Sequence, residues 1–348
     1  MTSIKKPLVD KHLRRNALDL TVRDYEGVMS TLCAGCGHDS ITAAFVQAFH
    51  ELNIEPHRAA KVSGIGCSSK TTAYFLGQSH GINTVHGRMP SVATGAAAVN
   101  KDLHYIGVSG DGDSLSIGIG QFAHAIRRNL NMLYVIENNG VYGLTKGQFS
   151  ASADIGTRAK KGEVNEQTPI DPVALALTLG ATFVARGFSG DKKQLVPLIK
   201  AGLMHKGFAL IDVVSPCVTF NDHKGSTRSY AHTYEYYHPI VHTDFVPTGS
   251  EITAQYEAGD AINVPLHHGS VNLRKTGDNY DPRDRDQAFE MLRRAEGQEI
   301  LTGLIYIDET RRDMADMAKL PATPLNALPH EKLSPGKAKL AEIMKGYC

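Results

Sequence analysis

The chain has 348 residues, with 37 Lys and Arg against 36 Asp and Glu and only five cysteines. A net charge of +1 argues against a main role on nucleic acid or anionic lipid, where a strong basic excess is usual. No run of about 18 apolar residues predicts a membrane span, and the N-terminus lacks the apolar stretch of a secretory signal. We therefore expect a cytoplasmic protein whose thiols are reduced.

Helix-like and strand-like segments alternate between residues 31 and 217. In chain order, the expected segments are helix 40–52 with Ser40 as its cap, strand 61–66, helix 91–99, strand 105–109, helix 116–128, strand 132–136, helix 172–179, strand 182–185, helix 192–204 and strand 209–214. Short strands separated by helices predict an α/β fold with a mostly parallel sheet and helices on both faces. Ligands of such folds bind at the carboxyl ends of the strands.

The flanking segments differ in composition from this central part. Residues 218–348 hold 15 Lys and Arg against 19 Asp and Glu, and they are rich in proline and poor in strand signal. We expect an N-terminal arm over 1–30, an α/β domain over 31–217, and an irregular wrapping extension over 218–348. A short helix is expected near Gln287–Arg294.

The cysteines fall at positions that a metal centre would need. Cys33 and Cys36 form a CxxC, whereas Cys67 and Cys217 each follow a predicted strand and Cys348 ends the chain without a motif. If the strands are parallel, the first four thiols converge at one edge of the sheet. One pair plus two distant cysteines suits a [4Fe–4S] cluster better than structural zinc, which usually has two close CxxC pairs. Four thiols packed as small apolar groups, or a thioredoxin-like redox pair, remain alternatives.

A second pattern is the acidic glycine turn Gly110-Asp111-Gly112-Asp113 after one strand, followed 28 positions later by Asn139 after the next. Glycines let the backbone approach a pyrophosphate, and the following helix offers free N–H groups. Asp111 and Asn139 supply the oxygen ligands that Mg²⁺ prefers. This pair resembles the signature of thiamine-diphosphate enzymes.

Four blocks together, SGIGCSSK, HGRMPSVATG, SGDGDSLSIG and ENNGVYGLTKGQ, resemble the β subunit of 2-oxoacid:ferredoxin oxidoreductases over residues 25–225. The resemblance implies that a [4Fe–4S] cluster is held by Cys33, Cys36, Cys67 and Cys217. It implies that Mg²⁺ is held by Asp111, Asn139 and the Val141 carbonyl. It also implies a thiamine diphosphate site formed by Ile65, Gly66, Cys67, Ser68, His86, Gly87, Arg88, Gly110, Gly112, Asp113, Gly143, Leu144 and Thr145.

The same resemblance implies the reaction. Coenzyme-A-dependent oxidative decarboxylation of a 2-oxoacid would send single electrons through the cluster to ferredoxin, with 2-oxoglutarate, giving succinyl-CoA and CO2, favoured over pyruvate. The thiamine C2 carbon would be the nucleophile, so no side chain is assigned as catalytic. Candidate substrate contacts are His86, Arg88, Lys70 and Lys146.

The sequence contains only one of the two domains that a thiamine site needs. We therefore expect an obligate α subunit and an αβ or (αβ)2 assembly. A non-redox thiamine enzyme would leave the placed cysteines unexplained, and a non-catalytic metal-binding subunit would leave the Mg²⁺–diphosphate loops unexplained.

Overall fold

The computed structural model describes residues 13–157, 162–215, 217, 237–239, 261–266, 269–274, 280–295, 300–334 and 336–347. Residues 1–12 of the expected arm, most of 218–279 and Cys348 lie outside the described residues. Among the described residues, no helix combines the length and the apolar character that a membrane span requires.

Twelve strands and ten α-helices are described. The strands are β1 (Ala59–Ser63), β2 (His80–Asn83), β3 (His104–Gly110), β4 (Met132–Asn138), β5 (Val141–Tyr142), β6 (Gln148–Phe149), β7 (Phe183–Phe188), β8 (Phe208–Val214), β9 (Tyr237–Pro239), β10 (Ala261–Leu266), β11 (Gly269–Arg274) and β12 (Ile300–Ile307). The helices are α1 (Gly37–Leu52), α2 (Cys67–Thr71), α3 (Met89–Val99), α4 (Ile119–Arg127), α5 (Pro172–Leu179), α6 (Lys192–Met204), α7 (Arg285–Ala295), α8 (Met314–Met317), α9 (His330–Leu333) and α10 (Gly336–Lys345).

The main sheet has eight strands in the order β2-β1-β3-β4-β8-β7-β12-β9. The first six strands in this order, β2, β1, β3, β4, β8 and β7, are parallel. Strand β12 runs antiparallel to β7, and β9 runs parallel to β12. Two antiparallel pairs, β5–β6 and β10–β11, lie outside this sheet. The carboxyl ends of β1, β3 and β4 are neighbours, so the loops that follow them meet at one edge.

Helices cover both faces of the sheet. On one face α1 and α6 pack against Leu133 and Val135 of β4, and on the other α3, α4, α5 and α7 pack against Tyr134 and Ile136. This alternation is the period-2 pattern of a strand that is buried on both sides. Full burial of each such aliphatic or aromatic side chain contributes about 1.5–3 kcal/mol. The predicted α/β fold with a mostly parallel, doubly covered sheet is confirmed.

Some expected boundaries were wrong. Ser40 does not cap α1, because the helix begins three residues earlier, directly after the extended backbone of Cys36. The expected helix 116–128 is interrupted, since a π-helical turn, Gly112–Ile117, ends at Gly118 and α4 starts only afterwards.

Three strands of the main sheet, β2, β9 and β12, have no counterpart in the expected elements of the sequence. All four residues of β2 are exposed, and its sequence HGIN has no apolar pattern that would indicate a strand. Within the predicted extension, β12 joins the main sheet beside β7, and the short helix expected there lies inside α7.

Candidate cofactor site at the carboxyl edge of the sheet

A single buried carboxylate contacts two loops and the end of a strand at the carboxyl edge. Asp113 is only 3% exposed. Its Oδ1 accepts the backbone N–H of Gly87 over 2.8 Å and that of Ile65 over 3.3 Å, and it contacts His86 Nδ1. Its Oδ2 accepts the Ser109 hydroxyl over 2.5 Å. The loop after β1, the loop before α3 and the end of β3 therefore have a common anchor.

Three glycines permit this close assembly. A Cβ atom on Gly64 would overlap the Asp113 carboxylate. A Cβ atom on Gly112 would lie 2.5 Å from the Tyr142 ring, whose hydroxyl donates to the Gly112 carbonyl over 3.1 Å. Gly66 has φ +130, a backbone conformation that side chains disfavour. These positions therefore require glycine, because a side chain would clash or would strain the backbone.

Asp111 and Asn139 are brought together as the sequence predicts. They are 1% and 5% exposed, and the Asn139 N–H donates to Asp111 Oδ1 over 3.4 Å. The Asn139 amide oxygen accepts the N–H of Val141 over 3.1 Å. The hydroxyls of Ser150 and Ser152 both donate to Asp111 Oδ2. A carboxylate and an amide oxygen in a buried polar setting match the preference of Mg²⁺ for oxygen ligands, although ligation stays a prediction.

The four cysteines lie around the same edge. Cys36 precedes α1, Cys67 begins α2 and Cys217 follows β8. A Cβ atom on Gly143 would lie 3.5 Å from Cys67 Sγ and 3.9 Å from Cys217 Sγ, so these two thiols border one loop.

The pKa values of these thiols reflect burial and mutual proximity. Burial raises the pKa of Cys36 to about 12, and Glu137 and Cys217 add to the shift. Burial also raises the pKa of Cys67, and both Cys217 and Cys33 contribute. Because metal binding releases the thiol proton, such a set can accept a positively charged centre.

Single-ion chelation is less well matched. In the part of the chain that the structure describes, no three His, Cys, Asp or Glu side chains are gathered closely enough to hold one metal ion. The four cysteines form a sulfur-only donor set, which fits a [4Fe–4S] cluster in chemistry. Its ligands stay a prediction.

The remaining predicted contacts border these loops to different degrees. His86 is linked to Asp113 and its side chain is 30% exposed. Arg88, Lys70 and Lys146 are exposed, and Lys146 adopts φ +82. Other predicted cofactor contacts are the buried Ser68, which lies beside Gly110, and the exposed Ile65, Leu144 and Thr145. His86 is thus built into the site, whereas Arg88, Lys70 and Lys146 lie at the surface.

A buried acid–base pair was missed by sequence reasoning. Glu137, two positions before Asn139, is 1% exposed, and burial raises its pKa well above the usual value. Its Oε2 lies 3.7 Å from His38 Nδ1, which contacts Ser215 Oγ over 2.6 Å. Burial lowers the pKa of His38 to about 4. The motif ENN contains the carboxylate, but its burial depends on α1 and β8, which are distant in sequence.

Comparison with known proteins identifies the class of this site. Residues 64–213 match the family of thiamine pyrophosphate enzymes, C-terminal TPP binding domain. The fold and the loops at its carboxyl edge thus define a thiamine-diphosphate-binding subunit.

The particular family follows from similarity to individual proteins. The chain is 44% identical over 211 residues, 60% of its length, to the 2-oxoacid:ferredoxin oxidoreductase subunit beta of Saccharolobus solfataricus, of which this covers 67%. It is 40% identical over 189 residues, 54% of its length, to the 2-oxoglutarate synthase subunit KorB of Methanocaldococcus jannaschii, of which this covers 69%. The solved 2-oxoglutarate:ferredoxin oxidoreductase from Magnetococcus marinus, with 2-oxoglutarate, coenzyme A and succinyl-CoA bound, matches with a TM-score of 0.71 at 31% identity, over 89% of this chain and 92% of that one.

The chain belongs to the β subunits of the 2-oxoacid:ferredoxin oxidoreductases, and the predicted resemblance is confirmed. It is therefore a subunit of an oxidoreductase. The matched stretches span between 61% and 67% of three of the β subunits compared.

Proposed function

We propose that this chain forms, with an α subunit, a cytoplasmic enzyme that oxidatively decarboxylates 2-oxoglutarate in the presence of coenzyme A and passes single electrons to ferredoxin. The carrying observation is that the Gly143 loop borders two thiols of the cysteine set and follows the Asp111–Asn139 pair directly. The substrate choice is supported by the similarity to the KorB subunit and to the 2-oxoglutarate:ferredoxin oxidoreductase structure.

The residues of the thiamine site would divide two tasks. Asp111, Asn139 and the Val141 carbonyl would hold Mg²⁺, while Asp113 keeps the surrounding loops in place. When bound, thiamine diphosphate supplies the carbon nucleophile that the side chains of this site lack. The buried carboxylate of Asp113 orients His86, which can hold a proton or a substrate oxygen at the rim of the site.

The cysteine set would serve electron transfer. Cys33, Cys36, Cys67 and Cys217 would hold a [4Fe–4S] cluster, which supplies a one-electron acceptor when present. Cys67 follows the turn that Asp113 anchors through Ile65. One short segment would thus contact both the cofactor and the cluster, which keeps the electron path short.

An α subunit would complete the site. Several large apolar side chains are exposed on the loops at the carboxyl edge and just beyond them, although water normally disfavours a group of such side chains. Their exposed fractions are 38% for Ile65, 75% for Val85, 44% for Ile117, 49% for Leu144 and 63% for Ile155. A partner that brings the second thiamine-binding domain would cover this edge, giving αβ or (αβ)2.

The division of the chain follows from this proposal. We propose residues 1–30 as an arm, 31–217 as the diphosphate-binding domain and 218–348 as an extension that contributes β12 to the sheet.

The test is anaerobic co-purification with the α subunit. We expect bound iron and sulfide, and coenzyme-A-dependent dye reduction that is fastest with 2-oxoglutarate in a panel that includes pyruvate. Cys67→Ser should lose iron and dye reduction, whereas the matched change Cys348→Ser should retain both. A colourless complex with stoichiometric zinc, or 2-oxoacid turnover that needs neither coenzyme A nor an electron acceptor, would contradict the proposal.

A further inference from the structure

A charged network crosses the sheet beneath the loops of the site. The strand register pairs Arg186 of β7 with Asp212 of β8, and Asp212 in turn with Ile136 of β4. Arg186 Nε donates to Asp212 Oδ2 over 2.8 Å. Because Asn138 lies two positions beyond Ile136 on the same face of β4, its amide reaches the other carboxylate oxygen, Asp212 Oδ1, over 3.0 Å.

The network continues from Asn138 to the predicted magnesium ligand. Asn138 Oδ1 lies 3.0 Å from Ser152 Oγ, and that hydroxyl lies 2.7 Å from Asp111 Oδ2. Asn138, Ser152 and Asp111 are at most 1% exposed. A chain of polar contacts therefore runs from Arg186, three strands away, to the Asp111 carboxylate. The Ser150 hydroxyl and the Asn139 N–H also contact this carboxylate.

Arg186 is expensive to bury. It is 9% exposed, and it also contacts Asp171, the residue that caps α5. Burial alone would lower the pKa of the Arg186 guanidinium, but Asp171 and Asp212 raise it above its usual value. An apolar side chain often fills such a place at lower cost in stability. The ion pair also fixes the geometry of Asp212, whose two carboxylate oxygens are held by Arg186 and Asn138.

We propose that Arg186 is a positioning residue for Mg²⁺–diphosphate binding, acting through Asp212, Asn138 and Ser152 on Asp111. The inference rests on the proposed function, because it concerns the cofactor of that site. Partners that orient metal ligands typically change metal affinity about 10- to 100-fold when they are removed.

Two variants test the two ends of this network in the complex with the α subunit. Arg186→Lys keeps the charge but loses the fork that reaches two carboxylates, and Ser152→Ala cuts the contact next to Asp111. Isothermal titration should give dissociation constants for thiamine diphosphate and for Mg²⁺ that are about 10-fold higher in each variant. Saturating cofactor should restore kcat, whereas a merely structural defect would not respond to cofactor concentration.

A double variant and a matched control complete the experiment. Arg186→Lys with Ser152→Ala should weaken cofactor binding by less than the product of the single effects, because both act on one network. Lys200→Met, which removes the Lys200–Glu51 ion pair of 3.0 Å outside the network, should bind cofactor like the wild type.

Wild-type dissociation constants in Ser152→Ala would overturn the inference, even if Arg186→Lys does not fold. A double variant whose dissociation constants rise by the full product of the two single effects would overturn it as well. A wild-type complex that binds no thiamine diphosphate would instead overturn the proposed function.

Discussion

The most consequential single residue of the site is Asp113, because its carboxylate accepts hydrogen bonds from two loops and from the end of β3. Each of these contacts is a hydrogen bond to a buried charged group, the type that contributes about 1.5–3 kcal/mol. The carboxylate has room only because Gly64 lacks a side chain.

A Gly64→Ala change should therefore disrupt the site. The added methyl group would displace the Asp113 carboxylate, and we expect a loss of stability of about 2–4 kcal/mol together with loss of thiamine diphosphate binding. Chemical denaturation and titration calorimetry measure both effects. Gly81→Ala is the matched control, since a Cβ there meets nothing within 4 Å. Equal behaviour of the two variants would contradict the account.

The partly buried His205 predicts how stability depends on pH. Burial lowers the pKa of His205 to about 4 from its usual value of 6.5, against the opposing effect of Glu309 and Asp308. Between pH 6.5 and 4 the unfolded chain therefore binds a proton that the folded chain does not, so stability falls as the pH is lowered through this window. The contribution is on the order of 1–3 kcal/mol.

His205→Gln should flatten this acid limb in denaturation series across the same window, because it removes the histidine that the folded chain keeps neutral. His330→Gln at an exposed position should leave the limb as in the wild type. An unchanged limb in His205→Gln would count against a neutral, partly buried imidazole.

At the residue scale, the predictable part of the site was the part that lies at strand ends. Asp111 and Asn139 follow neighbouring parallel strands, and such ends share an edge. Their support was not predictable, because Ser152 and Asn138 act only after the chain has folded. The pairing of Arg186 with Asp212 depends on β7 lying beside β8 in register, which no local pattern encodes.

At the scale of elements, helix α2 begins with Cys67, and the turn after this helix depends on a buried lysine. Lys61 Nζ donates to the carbonyls of Thr72 over 2.6 Å, Phe75 over 2.5 Å and Leu76 over 3.0 Å. These carbonyls follow the helix, where free acceptors need donors. The lysine of β1 thus fixes the end of the segment that presents the thiol.

A Lys61→Met change should release that segment. Three carbonyls would lose a charged donor in a buried place, so we expect a destabilisation of about 2–4 kcal/mol and weaker retention of iron. Denaturation and iron analysis measure these effects, and Lys337→Met on the exposed helix α10 is the control. A Lys61→Met protein with unchanged stability would show that these hydrogen bonds contribute nothing.

The predictability of elements followed burial. Strands β4 and β8 are buried throughout, and β3 is buried at all but its two end residues; their central residues form apolar runs, so the sequence located them. The exposed edge strand β2 carries no such pattern. The run ILTGLIYI of β12 is apolar, but it lies in a segment whose polar and proline-rich composition favours an extension, and its place beside β7 is a long-range feature.

At the scale of the whole molecule, the segment from β12 to the C-terminus divides into a strand that belongs to the sheet and terminal helices that lie outside the core. Leu301, Leu304 and Ile305 of β12 are buried in the core, whereas α9 and α10 bury no residue. These last helices carry exposed apolar side chains, including Leu340 and Met344.

Truncation after Ala327 should therefore leave the midpoint of thermal unfolding nearly unchanged, because no buried contact is lost. Truncation after Ala295 also removes β12 and should prevent stable folding. Scanning calorimetry of the two truncated chains makes the comparison. A large loss of stability in the chain truncated after Ala327 would mean that α9 and α10 contribute to the core.

The central claim is that thiamine chemistry and a cysteine-bound cluster meet in this subunit. The most direct measurement is the visible absorption of the anaerobic αβ complex before and after adding 2-oxoglutarate and coenzyme A. The account predicts a broad band that bleaches only when both compounds are present, recovers with oxidised ferredoxin and is missing in Cys67→Ser. A complex without this band, or a band that no 2-oxoacid bleaches, would contradict it.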